Sequence, residues 1–442
     1  MSNHLDTLDH LLRAARAAGA DAADALFVNG ASLSVQRRLG QMEQVERAEG
    51  QDIGLRVFVG RRSAIVSTTD PTPTGFAELA ERAVAMARVV PEDPFGGLPD
   101  RAAGTIPVLD LCDNEEPEVA ALLARCAAAE DAALAVKGVT NTEGADASWS
   151  RTHIALAATN GFAGEYMRAS HSISVTALAG SGTGMERDYD YASATHLADL
   201  EDAAGLGRLA AEQAVARLNP GRPDTATLPI VYSPRVASSL LGHLTSAING
   251  ASVARGTSFL RDRMGERVLA AGLVVRDDAT RPRGLRSRPF DGEGVPASAR
   301  ALVEDGVLKT WVLDTRSARQ LGLATTGHAA RGVSSPPSPS TTNLWLEPGI
   351  LSPESLMSDI TLGIYVTELI GMGVNGVTGD YSRGAAGFMI RNGVLAEAVS
   401  GFTIAGNLTD IFARMVPAND LRFRRGTDSP TVRVDGMTVA GG

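Results

Sequence analysis

The sequence predicts an α+β protein, with an N-terminal helix and antiparallel-sheet domain followed by a mainly antiparallel β C-terminal domain. Three observations carry this. In the first half, apolar residues switch between the helical period of about 3.6 and the strand period of 2. After residue 230, helices thin out while strand-like runs and Asn-Gly turns multiply. Between the halves, Asn219-Pro220-Gly221-Arg222-Pro223 permits no regular element. It separates a domain of residues 1–222 from one of residues 223–442.

In order, Leu5, Leu8, Leu11, Leu12 and Ala15 share one face of a helix over 5–18. Strands are expected at 25–28, at 32–38, and at 53–59 continuing into 63–67 across the Gly60-Arg61-Arg62 hairpin loop. A helix over 74–88 turns Phe76, Leu79, Ala83 and Met86 inward. Residues 90–110, rich in proline and glycine, form a long connection to an alanine-rich helix at 117–136. Strand patterning returns over 138–195, at 154–158 and 172–178, with Asn160-Gly161 as a hairpin signal. A helix over 197–218 closes this half.

The second half opens with a strand at 230–232 and a helix capped by Ser233, with Pro234 in its first position. Val236, Leu240, Leu244 and Ile248 form its apolar stripe, and Asn249-Gly250 stops it. Strands are expected at 273–276, 299–304, 307–314, 342–346, 363–369, 387–391, 394–399 and 431–439. Asn392-Gly393 reads as a hairpin turn, and Ser352-Pro353-Glu354 as the start of a short helix.

The 442 residues are 44% hydrophobic and 21% charged, ample for a core. A net charge of -10 repels phosphate backbones and argues against a nucleic-acid partner. Two cysteines, Cys112 and Cys126, are too few for a disulfide framework or a zinc ribbon, and fit reduced thiols in the cytoplasm. The N-terminal stretch reads as an amphipathic helix rather than a signal peptide. No apolar run approaches the ~18 residues of a membrane span.

Zinc wants about four His, Cys, Asp or Glu ligands. The histidines at 4, 10, 153, 171, 196, 243 and 328 form no HExxH and no close pair on one helix face, so no metal site is expected. Asp277-Asp278 and Asp291-Gly292-Glu293 could hold a hard cation or act as acid and base, but turn capping accounts for both clusters. Residues 371–376 match GxGxxG, yet more loop follows where a dinucleotide site needs a helix, so a flexible or substrate-facing loop is preferred. Ser238, Ser239, Ser258 and Ser382 lack a GxSxG context. Residues 334–340 read as a stiff linker or lid.

Several ordered stretches resemble the TldD/PmbA family, and within it the PmbA/TldE branch. They are SFLRDRMGERV at 258–268, RDDATRPRGLRSRPFDGEGVP at 276–296, DTRSARQLG at 314–322, TNLWLEPG at 342–349, GVNGVTGDYSRGAAGFMIRNG at 373–393, TIAGNL at 403–408 and the terminal MTVAGG. The resemblance implies a two-domain α+β subunit of a cytosolic zinc peptidase that cleaves small or unfolded peptides in a closed chamber. Zinc would reside in a TldD-type partner, on an HExxxH helix with a later cysteine. An association with DNA gyrase control also attaches to the family.

Carried over by position, the first His of that helix is Ser238 here, the Glu is Ser239 and only the last His survives, as His243. The cysteine would lie near 424–426, where none occurs. A serine hydroxyl has no useful pKa for activating metal-bound water. The resemblance therefore implies no catalytic residue and no metal ligand set in this chain. His243, Asn343 and Asn375 are expected to neighbour bound peptide, which would add as a strand to an open sheet edge. A homodimer is the alternative when the partner is missing. Two other readings stay open: a self-sufficient hydrolase using Asp278, Asp291 or Glu293 with a metal or a serine, and a non-enzymatic regulator that binds another protein.

Overall fold

The computed structural model describes residues 4–100 and 105–441. Residues 101–104 of the predicted connection, and Gly442 of the terminal motif, lie outside the described residues. The first half comprises α1 (His4–Ala17), β1 (Ala22–Arg38), β2 (Gln41–Val59), β3 (Arg62–Thr68), α2 (Pro73–Val89), α3 (Val119–Leu134), β4 (Val139–Ala158), β5 (Ala163–Ala179), β6 (Glu186–Ala194) and α4 (Ala203–Ala216). Its strands form one antiparallel sheet in the order β3-β2-β1-β4-β5-β6.

The alternation along β1 assigns each face of this sheet. Ala23, Ala25 and Phe27 pack under α1 and α2 with Ile53 and Leu55. Leu33 and Val35, on the same face further along, pack under α3 and α4 with Trp149 and Ile173. Two helical layers thus cover one face at successive positions along the strands. The intervening residues Asp24 and Leu26 point the other way, toward the second half of the chain, where Leu26 and Leu156 meet Phe290.

That second half comprises β7 (Ala226–Tyr232), α5 (Pro234–Ala247), α6 (Gly250–Ala254), β8 (Val275–Asp278), β9 (Ala299–Glu304), β10 (Val307–Leu308), α7 (Thr315–Gln320), β11 (Ala329–Ala330), β12 (Ser338–Pro339) and β13 (Asn343–Leu346). It continues with α8 (Pro353–Met357), β14 (Leu362–Ile370), β15 (Asp380–Arg391), β16 (Val394–Asn407), α9 (Leu408–Ala413), β17 (Val416–Pro417), β18 (Thr427–Asp428) and β19 (Val432–Ala440). One sheet runs β16-β15-β14-β7-β19-β17, and an extra β16–β19 pairing closes it into a barrel. A second sheet runs β10-β9-β8-β13-β18. The pairs β14–β7 and β13–β18 are parallel. One continuous apolar core joins both sheets and buries the stripe Val236, Leu240, Leu244 and Ile248.

The halves meet through buried charge. Register sets Asp24 of β1 opposite Arg56 of β2. Asp24 accepts from Arg56 at 2.9 Å and also from Arg331 of the second half. Arg56 in turn lies 3.5 Å from Glu293. Although burial opposes the charged form of Asp24, the two guanidiniums hold its carboxyl below the usual carboxylate range. Beside this network, a Cβ on Gly54 would lie 2.0 Å from the Val333 carbonyl oxygen, so only glycine allows the approach.

Several expected elements change. The pieces at 25–28 and 32–38 are one strand that runs straight through Asn29-Gly30. Residues 41–52, polar and exposed, are strand because β1 supplies the ladder partners, not because they bury a face. Met86 is 43% exposed, and Ala87 takes its inward place. The 197–218 helix splits into a 3-10 turn at Leu197–Asp199 and an α4 capped by Asp202. Asn160-Gly161 sits in a four-residue loop rather than a two-residue hairpin turn. The 307–314 strand keeps two residues, and the 273–276 strand shifts to Val275–Asp278. Asn249 ends α5 by capping α6, its side chain accepting from Ala251 N. Segment 334–340 is no free linker: Ser338–Pro339 pairs with Ala329–Ala330, and the Pro339 carbonyl accepts from Asn249.

Replacing Asp24 with alanine leaves Arg56 and Arg331 buried beside the lone Glu293. Urea unfolding of D24A is expected to show a loss of about 3–5 kcal/mol, the cost of breaking a buried ion pair from one side.

Candidate functional site

Helix α5 starts where β7 ends and runs beneath the hairpin made by β14 and β15. Ser238 and Ser239 sit on its second turn. Both hydroxyls turn back on their own helix, Ser238 donating to the Arg235 carbonyl at 2.8 Å and Ser239 to the Val236 carbonyl at 2.6 Å. His243 follows one turn later. Its Nε2 is buried without a hydrogen-bond partner, and its ring stands edge-on to Tyr381 at 5.8 Å. Burial, helped by the nearby Arg383 guanidinium, lowers the imidazole pKa. Burial pushes the Tyr381 phenol up to about 12.

This donor set does not fit zinc. Two of the helix positions are serines whose hydroxyls are already engaged, and the surviving imidazole faces a cation. No group of three His, Cys, Asp or Glu side chains that could hold a metal occurs among the described residues. A nearby guanidinium raises the cost of placing a dication there.

The other expected substrate neighbours divide. Asn375 lies in the loop between β14 and β15, its side chain accepting from Val377 N at 2.9 Å and from Thr378 N at 3.3 Å. The loop and Tyr381 line an open concavity of about 550 Å³. Tyr381 thereby links His243 to the Asn375 loop. Asn343 belongs to neither. It is buried in β13, accepting from Arg286 N and donating to the Asp278 carbonyl and to Ser287 Oγ. Every strong polar group of its amide is engaged in fixing the 278–287 segment.

The acidic clusters are structural ties. Asp291 Oδ1 accepts from Glu293 N and Val295 N, and Oδ2 from Ala329 N, which is turn capping as expected. Asp278 closes a turn onto Thr280. Asp277 departs from the expectation, because it lies in a strand and accepts from Thr342 while facing His328 at 3.1 Å. Glu293 caps no turn of its own; it takes Thr315 N and pairs with Arg56. The GxGxxG stretch opens no helix, and Gly371 occupies the left-handed region in the hairpin loop.

A second cleft was not foreseen from the sequence: between the halves, β6 and α4 face the start of α5 and the segment 420–429 across about 530 Å³. The signal was present in Asp188-Tyr189-Asp190-Tyr191 and in Arg422-Phe423-Arg424-Arg425. Alternation buries both aspartates. Asp188 pairs with Arg217 at 3.3 Å and Arg235 at 2.7 Å, and Asp190 with Arg424 at 3.2 Å.

These groups also seal the edge of the first sheet. Tyr189 N and Tyr191 N donate to the preceding aspartates, and the carbonyls of Tyr189 and Tyr191 accept from Arg235 and Arg424. An added strand would find these four backbone groups of β6 already satisfied.

Comparison with known proteins gives a consistent picture. The PmbA/TldA metallopeptidase domain 1 matches residues 23–87, the central domain 112–218 and the C-terminal domain 225–441. The chain is 35% identical to metalloprotease PmbA of Escherichia coli O157:H7, over 95% of this chain and 92% of that protein. It is 32% identical to a metalloprotease PmbA homologue of Haemophilus influenzae, over 92% and 90%. A crystal structure from Bacteroides thetaiotaomicron, described as a candidate modulator of DNA gyrase, superposes with a TM-score of 0.91 at 25% identity over the whole of both chains. The fold also matches TldE of Thermococcus kodakarensis, with a TM-score of 0.89 at 20% identity over 98% of this chain and 100% of that one.

The lowered His243 pKa sets a pH dependence. The unfolded chain protonates this imidazole first, so the penalty is absent above the ordinary histidine range and grows as pH falls through about 6.5 toward the lowered folded value. Thermal melts from pH 8 to 5 are expected to show a shallower acid loss for His243→Gln than for the unaltered protein.

Proposed function

Because the chain belongs to the PmbA/TldD metallopeptidase family, we propose that it is the PmbA/TldE-type subunit of a two-component zinc peptidase acting on small or unfolded peptides. It shapes the chamber and holds peptide, while a TldD-type partner carries zinc and the general base. The observation that carries this reading is the state of α5: hydroxyls bonded to their own helix at Ser238 and Ser239, and one lowered imidazole beside Arg383. Such a helix keeps the architecture of a metal site and lacks the groups to polarise a carbonyl or to deprotonate water.

The same reading places peptide near the concavity of Tyr381 and Asn375, with His243 behind it. Strand addition falls to an edge in the second half, since the edge of β6 is engaged by its own aspartates and arginines. Free Cys112 and Cys126 suit a reducing cytoplasm, and no helix among the described residues is long and apolar enough to cross a membrane. Nucleic acid is not a partner in this account, given the net charge of -10.

The test is hydrolysis of an unfolded peptide in the presence of zinc, by the purified chain alone and after mixing with a TldD-type catalytic subunit. Cleavage is expected only in the mixture, in a fraction where both chains co-elute. Zinc-dependent cleavage by this chain alone overturns the proposal.

A further inference from the structure

The cleft between the halves contains more than its sealing pairs require. Arg235 and Arg424 cap the edge of β6, and Arg217 pairs with Asp188 and Glu368. Two guanidiniums remain. Arg422 is exposed in the cleft and makes no hydrogen bond or ion pair with the described residues. Arg425 lies over the Tyr191 ring, its Nε is buried without a partner, and its nearest carboxylate is Asp190 at 3.8 Å. Asp428 accepts from the backbone N–H groups of Arg424, Arg425 and Gly426, and so fixes the turn that presents Arg425 while keeping its own negative charge in the cleft.

A second observation is independent of the arginines. Ser233 occupies the cap position of the 14-residue α5 yet makes no capping bond. It is 7% exposed, lines the cleft, and its hydroxyl has no partner among the described residues. A serine at this position ordinarily satisfies a first-turn N–H. Here the hydroxyl of a buried residue and the positive end of a helix macrodipole lie at the same cavity as Arg422 and the loosely paired Arg425. The wall between them is apolar, formed by Leu209, Pro234, Tyr365 and Phe388.

We propose that this cleft binds the C-terminal carboxylate of a short peptide, with its last side chain against the apolar wall. The word peptide rests on the proposed function above; the carboxylate rests on the cleft alone. A monoanion fits better than a phosphate. The acids Asp188, Asp190, Asp420, Asp428 and Glu212 also line the cleft, and Glu212 is exposed without an ion partner. These five acids balance the five arginines of the lining, so the single charge of a carboxylate meets less repulsion there than the two of a phosphate. Arg422 supplies a planar fork that matches a carboxylate.

The experiment is calorimetric titration of the full purified chain, without any partner, with acetyl-Ala-Ala-Leu as the free acid, the same peptide as the C-terminal amide, and inorganic phosphate. The acid is expected to bind about tenfold or more tighter than the amide, the size of one charge-assisted hydrogen bond. Arg422→Ala is expected to abolish that preference, and Ser233→Ala to reduce it. Arg422 is exposed and makes no hydrogen bond or ion pair with the described residues, so circular dichroism and melting of R422A should match the unaltered protein. Equal binding of acid and amide, an unchanged preference in R422A, or phosphate competing as well as the free acid each overturn the inference. Partner-dependent hydrolysis is scored separately. Hydrolysis without a carboxylate preference sinks only this inference, and a carboxylate preference without hydrolysis sinks only the peptidase reading.

Discussion

The buried contact between Asp24, Arg56, Arg331 and Glu293 fixes how the two halves of this chain face each other. Charges taken out of water are tolerated only in good mutual geometry. Here the geometry comes from strand register, which sets Asp24 opposite Arg56, and from Gly54, whose missing side chain admits the Val333 segment. Once that face is docked, the opposite face is left to the four N-terminal helices, and β6 comes to lie along the start of α5. The cleft and its arginines follow from this docking rather than from any local motif.

The same docking explains why the first sheet can end in a long strand without inviting a neighbour. Asp188 and Asp190 bond the N–H groups that follow them, and arginines from the second half reach across to the carbonyls. Edge protection is thus supplied in trans by the other half of the molecule. In α5 the logic is reversed. The helix is well packed on its apolar stripe, while its polar positions hold groups that satisfy the helix itself. Packing and the polar positions of α5 occupy different faces, so the polar residues can change without loss of the core.

Much of the fold was legible in the sequence. The apolar stripes of α1, α2 and α5 pointed to those helices, alanine content to α3, and Asn392-Gly393 to a hairpin turn, both residues adopting positive φ. The polar stretch at 41–52 was not legible, because its strand character comes from the pairing partner rather than from burial. Asp277 was misread for a related reason: its role depends on His328 and Thr342, at least 51 residues away in sequence. Of the site, the serines at 238 and 239 were readable from position alone. The engagement of Asn343 with residues 278–287 and the cleft beside β6 were not, since both arise from segments that meet only in the folded chain.

In the proposed function, α5 keeps the form of a metal-binding helix without the capacity to hold the metal. The most direct test is the zinc content of the purified full-length chain, produced in zinc-supplemented medium without a TldD-type partner and measured by plasma mass spectrometry. The account predicts zinc far below one equivalent per chain, with no difference between the unaltered protein and His243→Ala. One equivalent per chain, lost in His243→Ala, would contradict it.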